Sequence, residues 1–376
     1  MLVIGIAVAR RAGTQDDFIV AGRKLPLWIC VPTIIATWFG GGTMLGAAGT
    51  GYEGGFLASI AIPFGAALVL ILMGFFVVRT LRRMKLLTVA EFFENRFGRA
   101  AGVVAAVALL LAITGWIGGL MVGFGQVFQT MTGIPMELGI LAGGVIVIGY
   151  TAIGGMWAVA LTDFVQVVII AIGLLVLLAV VLIDVGGWSA IAPQFPEHTF
   201  RLIPLEHSVE IWLNYVRLWI IFGIADLASQ SLMQRVFAAK SEQTAQNSLY
   251  LAGAGYLFLG LIPVVLGIIA GVTMPGLEDP ESVIPRLAVE HLHPIAIAIF
   301  VGAILAAIMS SADAQGGLRV WHDERQLAQA GTCGCTGGTR PGHRGRLGSA
   351  GHGRFLYLLG VGRWIGSTDY RHVSYS

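Results

Sequence analysis

Two stretches of small, oxygen-bearing residues interrupt an otherwise apolar chain of 376 residues. The first is the triplet Gly40-Gly41-Gly42, set near the middle of the apolar run from Trp28 to Tyr52. Each glycine disfavours helix by about 1 kcal/mol relative to alanine, so the triplet costs about 3 kcal/mol of helix stability. The run is therefore predicted to unwind over Phe39 to Thr43, leaving backbone carbonyls without helical partners. Bare peptide groups at membrane depth are tolerated only where protein buries them or where they line a polar cavity. The second stretch is Ala306-Ala307-Ile308-Met309-Ser310-Ser311-Ala312-Asp313-Ala314. Small residues allow close helix approach, and serine hydroxyls in such helices often only bond back to the preceding turn. Paired with an unwound helix, the same hydroxyls acquire a use. Hard cations are held by oxygen ligands, and free carbonyls facing a serine pair could dehydrate and hold Na+.

Charges inside the apolar segments are few, and each costs about 2.5 to 3.5 kcal/mol at the bilayer centre on the lenient insertion scale. Asp163 lies in Gly154-Gly155-Met156-Trp157-Ala158-Val159-Ala160-Leu161-Thr162-Asp163-Phe164-Val165-Gln166. It reads either as a helix-start carboxylate favoured by the dipole or as a polar group lining an ion path. Asp226, Gln230 and Gln234 recur every fourth residue and share one helix face, followed by Arg235. That stripe is predicted to face the interior of a helix bundle, as a structural network or as a solute contact.

The elements that carry these residues are membrane crossings. The chain is 56% hydrophobic and only 12% charged, about half the charged fraction of a soluble domain. A crossing needs about 20 apolar residues. Segments of that kind fall near 27–51, 56–79, 101–130, 136–153, 157–184, 209–232, 246–274 and 293–314. Basic residues collect in alternate connections: Arg10, Arg11, Arg23 and Lys24, then Arg79, Arg82, Arg83, Lys85, Arg96 and Arg99, then Arg235 and Lys240. Basic loops are cytoplasmic, so the glycine-broken helix is predicted to start inside and end outside. Thr88 to Phe97 alternates Phe92, Phe93 and Phe97 with Glu91, Glu94 and Arg96, the pattern of a short amphipathic helix on the inner surface. Net charge of +2 gives no case for nucleic acid. Cys30, Cys333 and Cys335 form no disulfide framework. An intramembrane enzyme is disfavoured because His198, His207, His291 and His293 fall in or beside outer loops, with no nucleophile and base spaced at membrane depth. The apolar start, Met1 to Ala9, reads as the stump of a further crossing and not as a cleaved signal.

Several ordered motifs now identify a family resemblance over about residues 14–314. They are Asp17-Phe18-Ile19-Val20-Ala21-Gly22-Arg23, the Gly154 to Gln166 stretch, the Gln234-Arg235 pair and Ala306 to Ala314. The chain resembles the sodium:solute symporter family, and Ala36-Thr37-Trp38-Phe39-Gly40-Gly41-Gly42 looks most like its choline-transporter branch. The resemblance implies an all-α integral membrane protein of the leucine-transporter type, an inverted-repeat helical bundle holding solute and ion at the midplane beside discontinuous helices. It implies a sodium site made by the carbonyls of Ala36, Phe39 and Ala307 with the hydroxyls of Ser310 and Ser311. Asp163 then matches an aspartate on the inward release route. The solute would lie between Gly40, Gly41 and Gly42 and the helix bearing Asp226 and Gln230. Trp38, Trp116, Trp219 and Tyr256 could form an aromatic box for a quaternary ammonium, although interfacial anchoring is the favoured reading of these residues. The implied activity is Na+-coupled symport of a small organic solute across the plasma membrane, with Na+ as coupling ion and no other cofactor. A proton-coupled carrier using Asp163 or Asp226 is the rival.

The family pattern fails after Ala314. Residues 315–376 are rich in Gly, Arg and His and keep no helical or strand period. The expectation is a partial transmembrane symporter domain over 1–314, with the second repeat incomplete, and an aberrant tail over 315–376 read out of frame. Transport by such a truncated chain is expected to be impaired or absent. Reading the coding DNA in the other two frames tests this, since neither would restore apolar helices if the expectation is wrong.

Overall fold

Glycine decides where the first helix stops. The computed structural model describes residues 20–84, 86, 88–223, 227, 229–309 and 311, and the side chains of all of these but 148–155, 222 and 223. Helix α1 (Leu27–Trp38) ends where Phe39 leaves helical geometry at φ −81° and ψ 59°. Helix α2 (Gly42–Ala58) then departs at 64° from α1. The breach is shorter than the predicted Phe39–Thr43, because the chain re-enters helix through a wide π turn over Gly42–Gly46. Glycines tolerate that wider winding, and π turns gather at functional sites.

Each predicted crossing contains helix. Helix α3 (Ala61–Met84) begins with a second π turn around Pro63, closed by the Gly65 amide donating to the Ile60 carbonyl at 3.2 Å. Proline lacks the donor that a regular α-helical ladder needs there. Helix α4 (Val89–Phe97) is the expected amphipathic piece, capped by Thr88, whose hydroxyl accepts the Glu91 amide at 3.2 Å. Helix α5 (Arg99–Thr132) is the least enclosed of the long spans and leaves Val104, Val107, Leu111 and Trp116 exposed. Such an apolar exterior suits lipid, not water.

Two expectations are corrected. The segments 136–153 and 157–184 are expected as separate crossings, but the backbone is one helix, α6 (Met136–Asp184), of 49 residues. Within it, Met156–Asp184 is long and apolar enough to cross a membrane, and Met136–Val147 is a shorter apolar piece. The Gly154-Gly155 pair costs only about 2 kcal/mol of helix stability, and no proline within α6 interrupts the ladder. Conversely, 209–232 is expected as a single crossing. It yields α7 (Val209–Gly223) and a separate α8 (Gln230–Ala238), with Ser229 non-helical at φ −59° and ψ 117°. Helices α9 (Glu242–Thr273), α10 (Val283–His291) and α11 (Pro294–Met309) follow.

Helix α9 is the most enclosed span and packs along α2. Small residues make this possible: a Cβ on Gly51 would lie 2.6 Å from the Val264 carbonyl, and one on Gly267 would overlap the Ala48 carbonyl. Ala47, Val264 and Ile268 fill the seam. Without a hydrophobic drive between helices in lipid, such close backbone approach supplies the association. Gly267→Ala is therefore expected to lower the thermal midpoint of the detergent-solubilised protein, by an overpacking cost of about 1–3 kcal/mol. Gly302→Ala, where nothing lies within 4 Å of the added carbon, should leave the midpoint unchanged.

At the end that the basic loops assign to the cytoplasm, a parallel bridge joins Leu25 to Ala239. The Leu25 amide donates to Ala238 at 3.0 Å and the Lys240 amide to Leu25 at 3.0 Å, while Arg82 donates to the Ala239 carbonyl at 2.8 Å. The bases of α1, α3 and α8 are thus tied together. This tether fixes where α1 presents its broken end.

Candidate functional site

The broken end of α1 meets the turn of chain that follows α11. The last carbonyls of a helix have no intrahelical donors, and Ala36 lies in that last turn. The Ser311 hydroxyl donates to the Ala36 carbonyl at 3.2 Å, and Ala36 and Ser311 are both buried. Gly40 stands between the two helices. A Cβ on it would lie 2.7 Å from Ser311 Oγ and 3.8 Å from the Ala307 carbonyl oxygen. Only a glycine permits this approach. Gly41 faces the Ile308 side chain, whereas Gly42 has open space around it. Of the five expected ion ligands, Ala36, Ala307 and Ser311 are brought together, Phe39 is the chain neighbour of Gly40, and Ser310 lies outside the described residues. Gln166 of α6 donates from Nε2 to the Ala306 carbonyl at 3.0 Å, holding α6 against the same turn of α11.

Asp163 is fully buried, but not at a helix start, and it has a counter-ion. Arg235 Nη2 lies 3.5 Å from its Oδ2. The guanidinium, 1% exposed, also donates from Nε to the Thr33 carbonyl at 3.3 Å and from Nη1 to the Ser231 carbonyl at 3.0 Å. Thr33 in turn donates to the Ala160 carbonyl at 3.2 Å and accepts from Thr37 at 2.7 Å. Buried charges survive only when paired and hydrogen-bonded, and this network does both. It joins α1, α6 and α8 one turn before Ala36.

The polar face of α8 is interior as expected, with Gln230, Gln234 and Arg235 all buried. Gln230, expected on the solute side, is instead placed at the amphipathic helix: its Oε1 accepts the Val89 amide at 2.6 Å. The amide at the start of a helix lacks an intrahelical acceptor, and Gln230 supplies one. Asp226 lies outside the described residues. Of the expected aromatic box, only Trp38 and Tyr256 meet, edge to face at 6.4 Å, with Phe39 edge-on to Tyr256 at 5.7 Å. Trp116 is exposed on α5, and Trp219 packs on Tyr215 at 6.4 Å.

The family model described as the sodium:solute symporter family matches residues 18–316. The chain belongs to that family. Among its relatives in the family, it is 29% identical over 337 residues to the high-affinity choline transporter 1 of Drosophila melanogaster, covering 83% of this chain and 52% of that protein. It is 28% identical over 351 residues to the sodium/glucose cotransporter of Vibrio parahaemolyticus, covering 82% and 63%. The chain thus spans about half the length of the choline transporters it matches. A solved structure described as the substrate-bound outward-open state of a Na+-coupled sialic acid symporter superposes with a TM-score of 0.67 at 21% identity, over 84% of this chain and 68% of that one. That likeness concerns the fold: an all-α membrane transporter. The symporter family comprises Na+-coupled transporters and not enzymes, and this member is a multi-pass membrane protein.

Within the symporter scaffold, two contacts are not foreseen from the sequence. Arg235 stands in a motif that names no partner for it, yet the rarity of buried charge is itself a signal. A deep arginine needs a carboxylate, and Asp163 is the buried carboxylate among the described residues. Tyr256 is expected beside Trp38 for its ring, but nothing in the sequence marks its hydroxyl for the Trp38 carbonyl.

Proposed function

We propose that this chain carries the ion site of a Na+-coupled symporter of a small organic solute. The observation that carries the reading is the convergence of Ser311 Oγ on the Ala36 carbonyl across Gly40. In this reading Na+ is held by the carbonyls of Ala36, Phe39 and Ala307 and by the hydroxyls of Ser310 and Ser311. The ion replaces the proton of Ser311 as partner of the Ala36 carbonyl, and so draws α1 and α11 onto a common centre. Inward movement of each positive charge gains about 2.3 kcal/mol per 100 mV of membrane potential. Asp163 receives the ion on its inward release, with the Arg235 guanidinium as its partner at other times.

The solute occupies the space beside Gly40, Gly41 and Gly42, with Asp226 on the facing side. Trp38 is half-buried at the broken end, so its ring offers a face to a cationic solute. Together with the choline transporters among the relatives, this favours a quaternary ammonium as the solute. The Gln230 carbonyl oxygen is held by the Val89 amide, which leaves its side-chain amide as the group on the solute side.

Equilibrium binding of radioactive sodium to the purified chain tests the ion site. Saturable binding is expected, resistant to K+ and reduced at least tenfold in affinity by Ser311→Ala, which removes a ligand without opening a large cavity. Binding that is indifferent to Ser311→Ala overturns the assignment. Solute-induced uptake that follows a pH gradient in Na+-free medium identifies proton coupling instead.

A further inference from the structure

The break in α1 exposes a carbonyl that is not among the proposed ligands. Trp38 is the last residue of α1, and its carbonyl oxygen lies at the mouth of the unwound turn. Two side-chain hydroxyls converge on it. Thr43, from the π turn that opens α2, donates to the Trp38 carbonyl at 2.8 Å. Tyr256, from the middle of α9, reaches the same oxygen at 3.4 Å and is in hydrogen-bond contact with Thr43 Oγ1. Tyr256 is one of the largest fully enclosed side chains, at 2% exposed. Its ring meets both residues that flank the breach, Trp38 and Phe39.

We propose that Tyr256 is a positioning residue for the ion site, acting through the Trp38–Phe39 peptide. The proposal rests on the sodium reading above and adds to it a residue from a helix that supplies none of the ligands. A peptide unit is planar, so fixing the Trp38 oxygen fixes the Phe39 amide on the other side of the same plane. The Phe39 amide is already committed to the Ile35 carbonyl at 2.9 Å. With both ends of the plane held, the only soft rotations left to direct the Phe39 carbonyl are its own φ and ψ. Edge-on packing of Tyr256 against the Phe39 ring restrains that residue as well. The hydroxyl pair therefore holds a glycine-flanked segment, which would otherwise sample many conformers, in the conformer that offers carbonyls to a cation. Preorganisation of this kind raises affinity by lowering the ordering cost of binding.

Tyr256→Phe removes one hydroxyl and keeps the ring. A hydrogen bond of ordinary strength corresponds to a change of about five- to tenfold, and the expected result is that loss in Na+ affinity. Thr43→Ala should weaken Na+ binding in the same direction, and Thr43→Ser, which keeps the hydroxyl, should restore it. Radioactive sodium binding and thermal unfolding in K+ buffer are measured on the full chain and on each variant. Weakened Na+ binding with an unchanged unfolding midpoint in K+, together with rescue by Thr43→Ser, supports the proposal. Parent-like Na+ binding in Tyr256→Phe and Thr43→Ala overturns it. So does a loss of Na+ binding that only tracks a fallen midpoint, which marks Tyr256 as structural. If the parent chain itself shows no saturable Na+ binding, the sodium reading has failed and the proposal falls with it, an outcome visible before any variant is compared.

Discussion

Asp163→Ala is expected to deplete the folded protein severely. The change removes the carboxylate that faces Arg235 and leaves a guanidinium, 1% exposed, among α1, α6 and α8. Removing one partner of a buried pair typically costs about 3–5 kcal/mol, because the surviving charge is uncompensated. That is a large share of the stability of most proteins, which is about 5–15 kcal/mol. The carbonyls of Thr33 and Ser231 also hydrogen-bond the guanidinium but carry no net charge. Arg235→Ala should be comparably harmful, stranding the carboxylate instead. Replacing both residues by apolar side chains of similar volume, Asp163→Leu with Arg235→Met, is expected to recover most of the loss, since neither charge then needs a partner. Thermal unfolding in detergent of the parent, Asp163→Leu, Arg235→Met and the double variant forms a double-mutant cycle. A double variant no more stable than either single one would sink the ion-pair account. If Asp163 also receives the released ion, the double variant should fold and yet fail to discharge Na+ inward.

The second large effect is local to the breach. Gly40→Ala places a Cβ 2.7 Å from Ser311 Oγ and 3.8 Å from the Ala307 oxygen. At 2.7 Å something must move, and the serine hydroxyl is the movable partner. It swings away from the Ala36 carbonyl, and the proposed coordination loses a ligand and its close approach together. Na+ affinity is expected to fall at least a hundredfold, while unfolding in K+ shifts only slightly, since the atom nearest the added carbon is a serine hydroxyl that can rotate away without moving the backbone. Gly42→Ala adds the same carbon where nothing lies within 4 Å and should leave Na+ affinity unchanged. Equal losses in the two variants, measured by radioactive sodium binding, would show that backbone freedom and not the approach of Ser311 governs the site.

The sequence exposed the site unevenly. The helix break was legible because propensity is a local property, and three adjacent glycines weaken a helix wherever they fall in it. The serine-bearing half was legible as a stretch of small and hydroxylated residues, though only its family resemblance assigned it ligands. The breach itself was overestimated, because a π turn over Gly42–Gly46 keeps hydrogen bonds that a simple count of glycines discards. Gln230 shows a different limit. An interior face does not say which neighbour it meets, and the Gln230 carbonyl oxygen accepts the Val89 amide. Of the four aromatic residues Trp38 and Tyr256 meet, while Trp116 is exposed, an exposure that suits the favoured reading as an interfacial anchor.

Read alone, the sequence marks a helical membrane protein, most of its apolar helices and a break in α1 near Gly40, and its ordered motifs resemble the symporter family. The helices and the break follow from composition, from 3.6-residue geometry and from the backbone freedom of glycine, all of which act within a few residues. Packing in three dimensions sets that Ser311 meets Ala36 across 275 positions of chain, that Arg235 answers Asp163 across 72, and that Tyr256 reaches the Trp38 carbonyl across 218. Each of these contacts is short-ranged and directional, so it exists only where packing brings distant helices to within hydrogen-bond reach. In this chain the close approaches at Gly40, Gly51 and Gly267, where a single added carbon would collide with a neighbouring helix, are what bring them there.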